Sequence, residues 1–339
     1  MAFAFQADIS GTAKQRLMSS SEKTGSGEVN QSRKSRTGRS SRMKNEISSS
    51  SFYAEFHGHP IHDLARYAKF LREEAGNRPL VWLCGDSTLD NKYWVQGCSL
   101  RDLESEYASI LRPPLARPDV AYHLGVAARD RALVVNCGVE ESTLAQRLGG
   151  SLLAHDNIVR DNLMEGDVVV VSLGGNDVAH SPTLRTAISA LSLIRLNRLQ
   201  TLENEFDKAW GRKHMVRLFG EKTRLYIEKL VSLRKPRLVL VCMLYFPDEN
   251  QTGSWADLPL RVLGYDAQPA KMQAVLRQLY LTATSEITIA GTKIVPVALY
   301  EALDPKDTED YVQRVEPSDI GGQKMARHIW QTISSHLAL

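Results

Sequence analysis

Five short apolar runs punctuate the chain, at 80–84, 132–136, 167–173, 237–243 and 292–299. None alternates between apolar and polar positions as a strand with one wet face would; the third holds four consecutive valines. Between them the apolar positions recur at helical spacing. In 61–74, Leu64, Tyr67, Ala68, Phe70 and Leu71 share a face, and Gly76, Asn77 and Pro79 end the pattern. Further helices are predicted over 140–148, over a long stretch from about 183 to 232, over 269–287 and over 322–336. The last carries Met325, Ile329, Trp330 and Ile333 on one face. Continuous apolar strands alternating with helices predict a mostly parallel sheet covered on both faces, in one α/β domain.

The 339 residues carry 43% hydrophobic and 24% charged side chains, an ordinary balance for a soluble globular protein. There is no run of 18 apolar residues, so no transmembrane segment is expected, and the first residues lack the apolar stretch of a secretory signal. The four cysteines, Cys84, Cys98, Cys137 and Cys242, are too few and scattered for a disulfide scaffold. Three lie in or beside the apolar runs, as buried free thiols do. A reducing, intracellular setting is expected.

Charge is uneven. Residues 1–50 hold nine Lys/Arg against four Asp/Glu, which leaves 33 against 35 for the rest. Nothing in that remainder supports a nucleic-acid surface. Residues 1–51, rich in Ser, Gly, Lys and Arg, are expected to be a disordered tail, with 52–339 as the folded domain and 183–232 as a helical insertion. The tail's composition fits an organelle transit peptide or a kinase target around Arg33 to Ser41, and equally a plain solvated segment.

In open parallel sheets the chemistry lies beyond the carboxyl ends of the strands. Three of those ends read Gly85-Asp86-Ser87, Asn136-Cys137-Gly138 and Gly174-Gly175-Asn176-Asp177. A serine at a tight turn offers a hydroxyl and a backbone N–H. Gly138 lets a backbone N–H approach a ligand, and Asn176 brings an amide donor. One nucleophile with converging donors can attack a carbonyl and hold the resulting oxyanion.

These blocks, in this order after these strands, resemble the SGNH (GDSL-type) hydrolases from about residue 80 to the C-terminus. The resemblance implies a flavodoxin-like three-layer fold with a five-stranded sheet. It also implies Ser87 as nucleophile, with Gly138 and Asn176 as oxyanion donors. No cofactor and no metal is implied. The family's last block, Asp-x-x-His-Pro, is altered: Asp310 to Ser318 reads DYVQRVEPS, which sets Glu316 at the catalytic His position and Gln313 at that of the Asp. A carboxylate can take the serine proton only if burial raises its pKa well above about 4.3. His180, four residues after Asn176, is an alternative base. His57, His59 and His62, like His328 and His336, read as solvated or core histidines.

Asp90, Asn91 and Trp94, placed on a helix one turn beyond Ser87, would face the pocket mouth, or else cap the helix and pack in the core. Asp86, Gly175 and Asp177 would touch substrate or brace the turns. The expected activity is hydrolysis of an ester or related acyl bond in a small-molecule or acylated substrate. Two alternatives stay open: a non-hydrolytic binding protein on the same fold, and chemistry that uses Glu316 as acid or base without serine attack.

Overall fold

The computed structural model describes residues 46–179 and 182–337. Five parallel strands form the central sheet: β1 (Leu80–Gly85), β2 (Leu133–Asn136), β3 (Val168–Ser172), β4 (Leu238–Met243) and β5 (Ile294–Ala298). They lie in the order β2-β1-β3-β4-β5, the doubly wound order of flavodoxin-like folds. Register follows the apolar runs residue by residue, for instance Leu83 beside Asn136 and Val170, and Val170 beside Leu240.

Because side chains alternate across a strand, each apolar run feeds two cores. Val81, Leu83, Val168, Val170, Leu238 and Leu240 face α2 (Val120–Ala128) and the C-terminal helix Asp319–Leu337. Leu80, Trp82, Val135, Val169, Val171 and Val239 face the other side, against α1 (Ile61–Glu74), α4 (Ala154–Asn162) and the helices between β3 and β4. The result is three layers, helix on sheet on helix.

Three expectations need correction. The folded chain begins before Phe52: Ile47–Ser48 pairs with Leu111–Arg112, Ser49–Phe52 forms a helical turn, and Ile47 is buried. A single apolar side chain amid serines leaves no periodic signal, so the composition-based limit fell too late. The 140–148 helix shrinks to α3 (Leu144–Leu148), since Glu141 adopts φ 60° and Thr143 caps the helix through the N–H of Gln146. The stretch from 183 to 232 is not one long helix. After α5 (Gly175–Ala179), it divides into α6 (Leu184–Arg195), α7 (Leu199–Asn204), α8 (Arg212–Arg217) and α9 (Thr223–Leu230). The expectation that the tail is disordered falls, for residues 1–45, outside the described residues. Beyond β4 come α10 (Asp257–Leu263), α11 (Pro269–Leu279), the hairpin strands β6 (Tyr311–Val312) and β7 (Glu316–Pro317), and α12 (Asp319–Leu337).

Candidate active site

Three strand-end loops converge because a buried ionic network laces them together. The guanidinium of Arg147, on α3, donates to the Gly85 carbonyl (2.7 Å), to Ser142 Oγ (2.8 Å) and to both Asp156 oxygens (2.6 Å). Tyr226 donates its hydroxyl to Asp156 as well (2.8 Å). Arg147 and Asp156 are fully buried, so each charge depends on the other. Asp177 accepts the N–H groups of Leu144 (2.8 Å) and Ala145 (3.2 Å), bracing the third loop against the N-terminus of α3. Gly85 cannot be replaced: a Cβ there would sit 2.4 Å from the Ser172 carbonyl oxygen.

Ser87 follows at the turn, only 8% exposed. No α-helix begins at Ser87; bends lead into a short 3₁₀ turn at Asn91–Tyr93. This corrects the placement of Asp90 and Asn91 at a pocket mouth. Asp90 is fully buried, paired with Lys92 (2.7 Å) and accepting the N–H groups of Gly58 and Glu140 (3.0 Å each). Asn91, equally buried, accepts the Val120 N–H (2.9 Å) and donates to the Pro317 carbonyl (3.0 Å), which fixes the hairpin that carries Glu316. Both residues are structural. Hydrogen bonds to the distant backbone of Gly58, Glu140, Val120 and Pro317 hold these side chains in place of the helix that spacing suggested.

Glu316 lies on β7, paired with Val312 of β6. The hairpin turns through Gln313 and Arg314, both at positive φ (54° and 68°). Arg314 is fully buried and pairs with Asp257 (2.9 Å) and Asp266 (2.9 Å), leaving Glu316 to its own partners. Gln313 turns the other way and accepts the Trp255 N–H through its side chain (3.4 Å), so it does not orient Glu316. The Ser87 side chain is close enough to the Glu316 carboxyl to favour its ionised form, and Oε2 of Glu316 is buried without a partner. Burial pushes this carboxyl up to about 8, against the effect of Ser87, with Asp86 and Glu141 adding negative charge nearby.

Asp86 accepts the Thr88 N–H (3.1 Å) through one oxygen, while the other is unpartnered beside Gly175. Burial raises it to about 6, helped by the charge of Asp177. Sequence reasoning missed Glu140. It is buried, accepts from the Trp94 indole (3.3 Å) and keeps its second oxygen unpartnered. Burial and the neighbouring Glu316 raise it well above the usual carboxylate range. Its position two residues after Gly138 was the one available signal.

Of the two nominated oxyanion donors, Gly138 donates its N–H to Asn136 Oδ1 (2.9 Å), and Asn176 gives one amide proton to the Ser142 carbonyl (3.2 Å). Among the described residues none accepts the Ser87 N–H. His180 lies outside the described residues. His59 is a core residue stacked on Phe52 (4.0 Å), and His62 is exposed. His57 Nδ1 donates to the Glu140 backbone carbonyl (3.1 Å). Among the described residues no group of three acidic, His or Cys side chains is placed to hold a metal ion. Two clefts, of about 480 and 610 Å³, lie elsewhere, one along Phe246, Arg277 and Tyr300, the other along Tyr53, Tyr67 and Tyr122.

No family model and no curated protein matches the chain. Solved structures similar to it include the extracellular lipase of Streptomyces rimosus, at 10% identity and TM-score 0.41, covering 75% of this chain and 99% of that one. Est24, a carbohydrate acetylesterase from Sinorhizobium meliloti, is similar at 12% identity and TM-score 0.40, covering 76% and 99%. The aryl esterase of M. smegmatis is similar at 12% identity and TM-score 0.41, with the same coverage. Likenesses this distant carry no argument about this chain's activity, and its α/β fold stands on the strand order and layers described above.

Proposed function

We propose that the chain hydrolyses an ester or related acyl bond through Ser87, with Glu316 as general base. The observation that carries this reading is the placement of Ser87 beside a buried carboxyl that burial holds near pKa 8. A carboxylate of ordinary pKa is too weak a base for a serine hydroxyl; one raised to about 8 approaches the range of a catalytic imidazole. In its ionised form Glu316 takes the Ser87 proton as Oγ bonds to the acyl carbon. It then returns that proton to the leaving alkoxide, and the acyl-serine is released by water activated in the same way.

The tetrahedral oxyanion would take the free Ser87 N–H and the second amide proton of Asn176. Gly138 joins them only if Asn136 turns away, because its single N–H is already bonded. Asp86 and Asp177 hold the loops, and their roles are read as positioning. The narrow exposure of Ser87 suits a short acyl group.

The test is direct. Short-chain aryl esters and a fluorophosphonate probe are offered to the wild type, Ser87→Ala and Glu316→Gln. Turnover and labelling in the wild type, with Ser87→Ala silent in both and Glu316→Gln slowed about 100-fold or more, are expected. A wild type inert to both reagents would favour the binding-protein reading of the same fold. Labelling that survives Glu316→Gln unchanged would remove Glu316 as the base.

A further inference from the structure

The helices between β3 and β4 expose more apolar surface than a solvated elaboration should. On α6, Leu184 is 79% and Ile188 55% exposed, one turn apart on the same face, with Leu191 half-buried a turn further on. Just past the C-terminal end of that helix Leu196 is 68% exposed, and Trp210, on the segment before α8, is 73% exposed. Trp210 is held there by its backbone: its N–H donates to Asn197 Oδ1 (3.0 Å) and its carbonyl accepts from Asn197 Nδ2 (3.1 Å). The next residue, Gly211, packs so closely on α6 that a Cβ would lie 2.3 Å from the Ser189 carbonyl oxygen. Val262 of α10, also exposed, is tied to α6 through Arg195, whose Nε donates to the Val262 carbonyl (3.0 Å). One exposed leucine is unremarkable, but two exposed apolar side chains on α6, a third just past its end, and Trp210 and Val262 on segments hydrogen-bonded to that end make a cluster of five.

The charge around them has one sign. Residues 183–217 hold seven Lys/Arg against three Asp/Glu, although residues 51–339 as a whole hold 33 against 35. Arg185, Arg198 and Lys213 are exposed and Arg212 is half-buried. Of the three acids, Glu205 is already paired with Lys208 (3.2 Å), leaving Glu203 and Asp207. A second copy of the chain would bring the same positive rim against itself, which disfavours self-association through this face. An apolar stripe rimmed by basic residues is complementary to an anionic lipid surface, where the rings and aliphatic chains enter the headgroup boundary and the cations meet phosphate.

We propose that the α6 face docks on anionic bilayers, with Leu184, Ile188 and Trp210 entering the interface and Arg185, Arg198, Arg212 and Lys213 meeting headgroup charge. The inference concerns binding alone and stands whether or not Ser87 is a nucleophile.

The experiment uses the full chain, including its basic residues 1–50, with vesicles of phosphatidylcholine alone or mixed equally with phosphatidylglycerol. Co-sedimentation with the mixed vesicles is expected to exceed that with neutral ones about tenfold or more. The double variant Leu184→Ser/Ile188→Ser and the double variant Arg185→Glu/Arg212→Glu should each lose most of it while unfolding at the same temperature as wild type. Brominated lipid should quench the tryptophan emission of wild type, and the quenching should vanish in Trp210→Phe. Absence of binding overturns the proposal. So does binding that both double variants retain, which would place it elsewhere on the chain. A concentration-dependent dimer abolished by Ile188→Ser would assign the face to a second copy and overturn it as well.

Discussion

At the residue scale, the decisive quantity is where the Glu316 proton sits. Burial holds the carboxyl neutral up to about pH 8, from an ordinary value of 4.5. Only the ionised form accepts the Ser87 proton, so kcat/KM for ester hydrolysis should rise with pH and level off above about 8. A profile flat from pH 6 to 9 would contradict the assignment. Asp86 contributes to this elevation through its negative charge. Asp86→Asn keeps an acceptor for the Thr88 N–H and removes the charge, so the inflection should move about one unit toward acid, read from the same profile. Stability carries the same signature with a definite sign. Between about pH 4.5 and 8 the folded state retains the Glu316 proton that the unfolded chain has released. Stability from this group is therefore complete below that window and is lost as pH rises through it, by about 1.4 kcal/mol per pH unit. Urea unfolding of Glu316→Gln should show a shallower fall than wild type over that interval.

At the scale of elements, the site is only as ordered as the connections among its loops. Tyr226 reaches from α9 to Asp156, which holds Arg147, which holds the Gly85 carbonyl beside the Ser87 turn. Tyr226→Phe removes a hydrogen bond to a buried charge and should lower stability by about 1.5–3 kcal/mol, measured by denaturant unfolding. Asp156→Ala leaves the Arg147 guanidinium buried without its counter-charge, and a loss of about 3–5 kcal/mol is expected. On the opposite side, Arg314 anchors the tip of the β6–β7 hairpin to Asp257 and Asp266. Arg314→Ala should reduce kcat more than it raises KM, because it loosens the strand carrying Glu316 and not the approach of substrate.

For the whole molecule, the early start of the fold has a measurable consequence. Removing residues 1–50 takes away Ile47 and its pairing with Leu111, and Ile47 is buried. The truncated chain should lose about 2–3 kcal/mol, the worth of one buried aliphatic side chain, and melt a few degrees lower. Truncation after residue 44 spares that pairing and serves as the control. A cut at residue 50 that left the melting temperature untouched would show that the Ile47 pairing adds nothing.

The layered architecture was legible because its causes are local. Strands buried on both faces must be apolar at every position, so 80–84 and 167–173 announce themselves without any knowledge of their neighbours, and Leu64, Tyr67 and Leu71 mark the buried stripe of α1. The strand-end blocks around Ser87, Gly138 and Asn176 were readable for the same reason: a tight turn at a strand end demands particular small residues at particular positions. Tertiary structure alone decided what these groups do there. The carboxyl of Glu316 acquires its basicity from burial and from Asp86, 230 residues away in the chain, and Glu140 joins the cluster from a third loop. Asp90 and Asn91, which spacing left between a pocket mouth and a structural role, are buried struts because Lys92, Gly58, Val120 and Pro317 converge on them. Periodicity records which face of an element is dry. Electrostatics and hydrogen bonding depend on which distant groups share that dryness, and this is set only when the layers close.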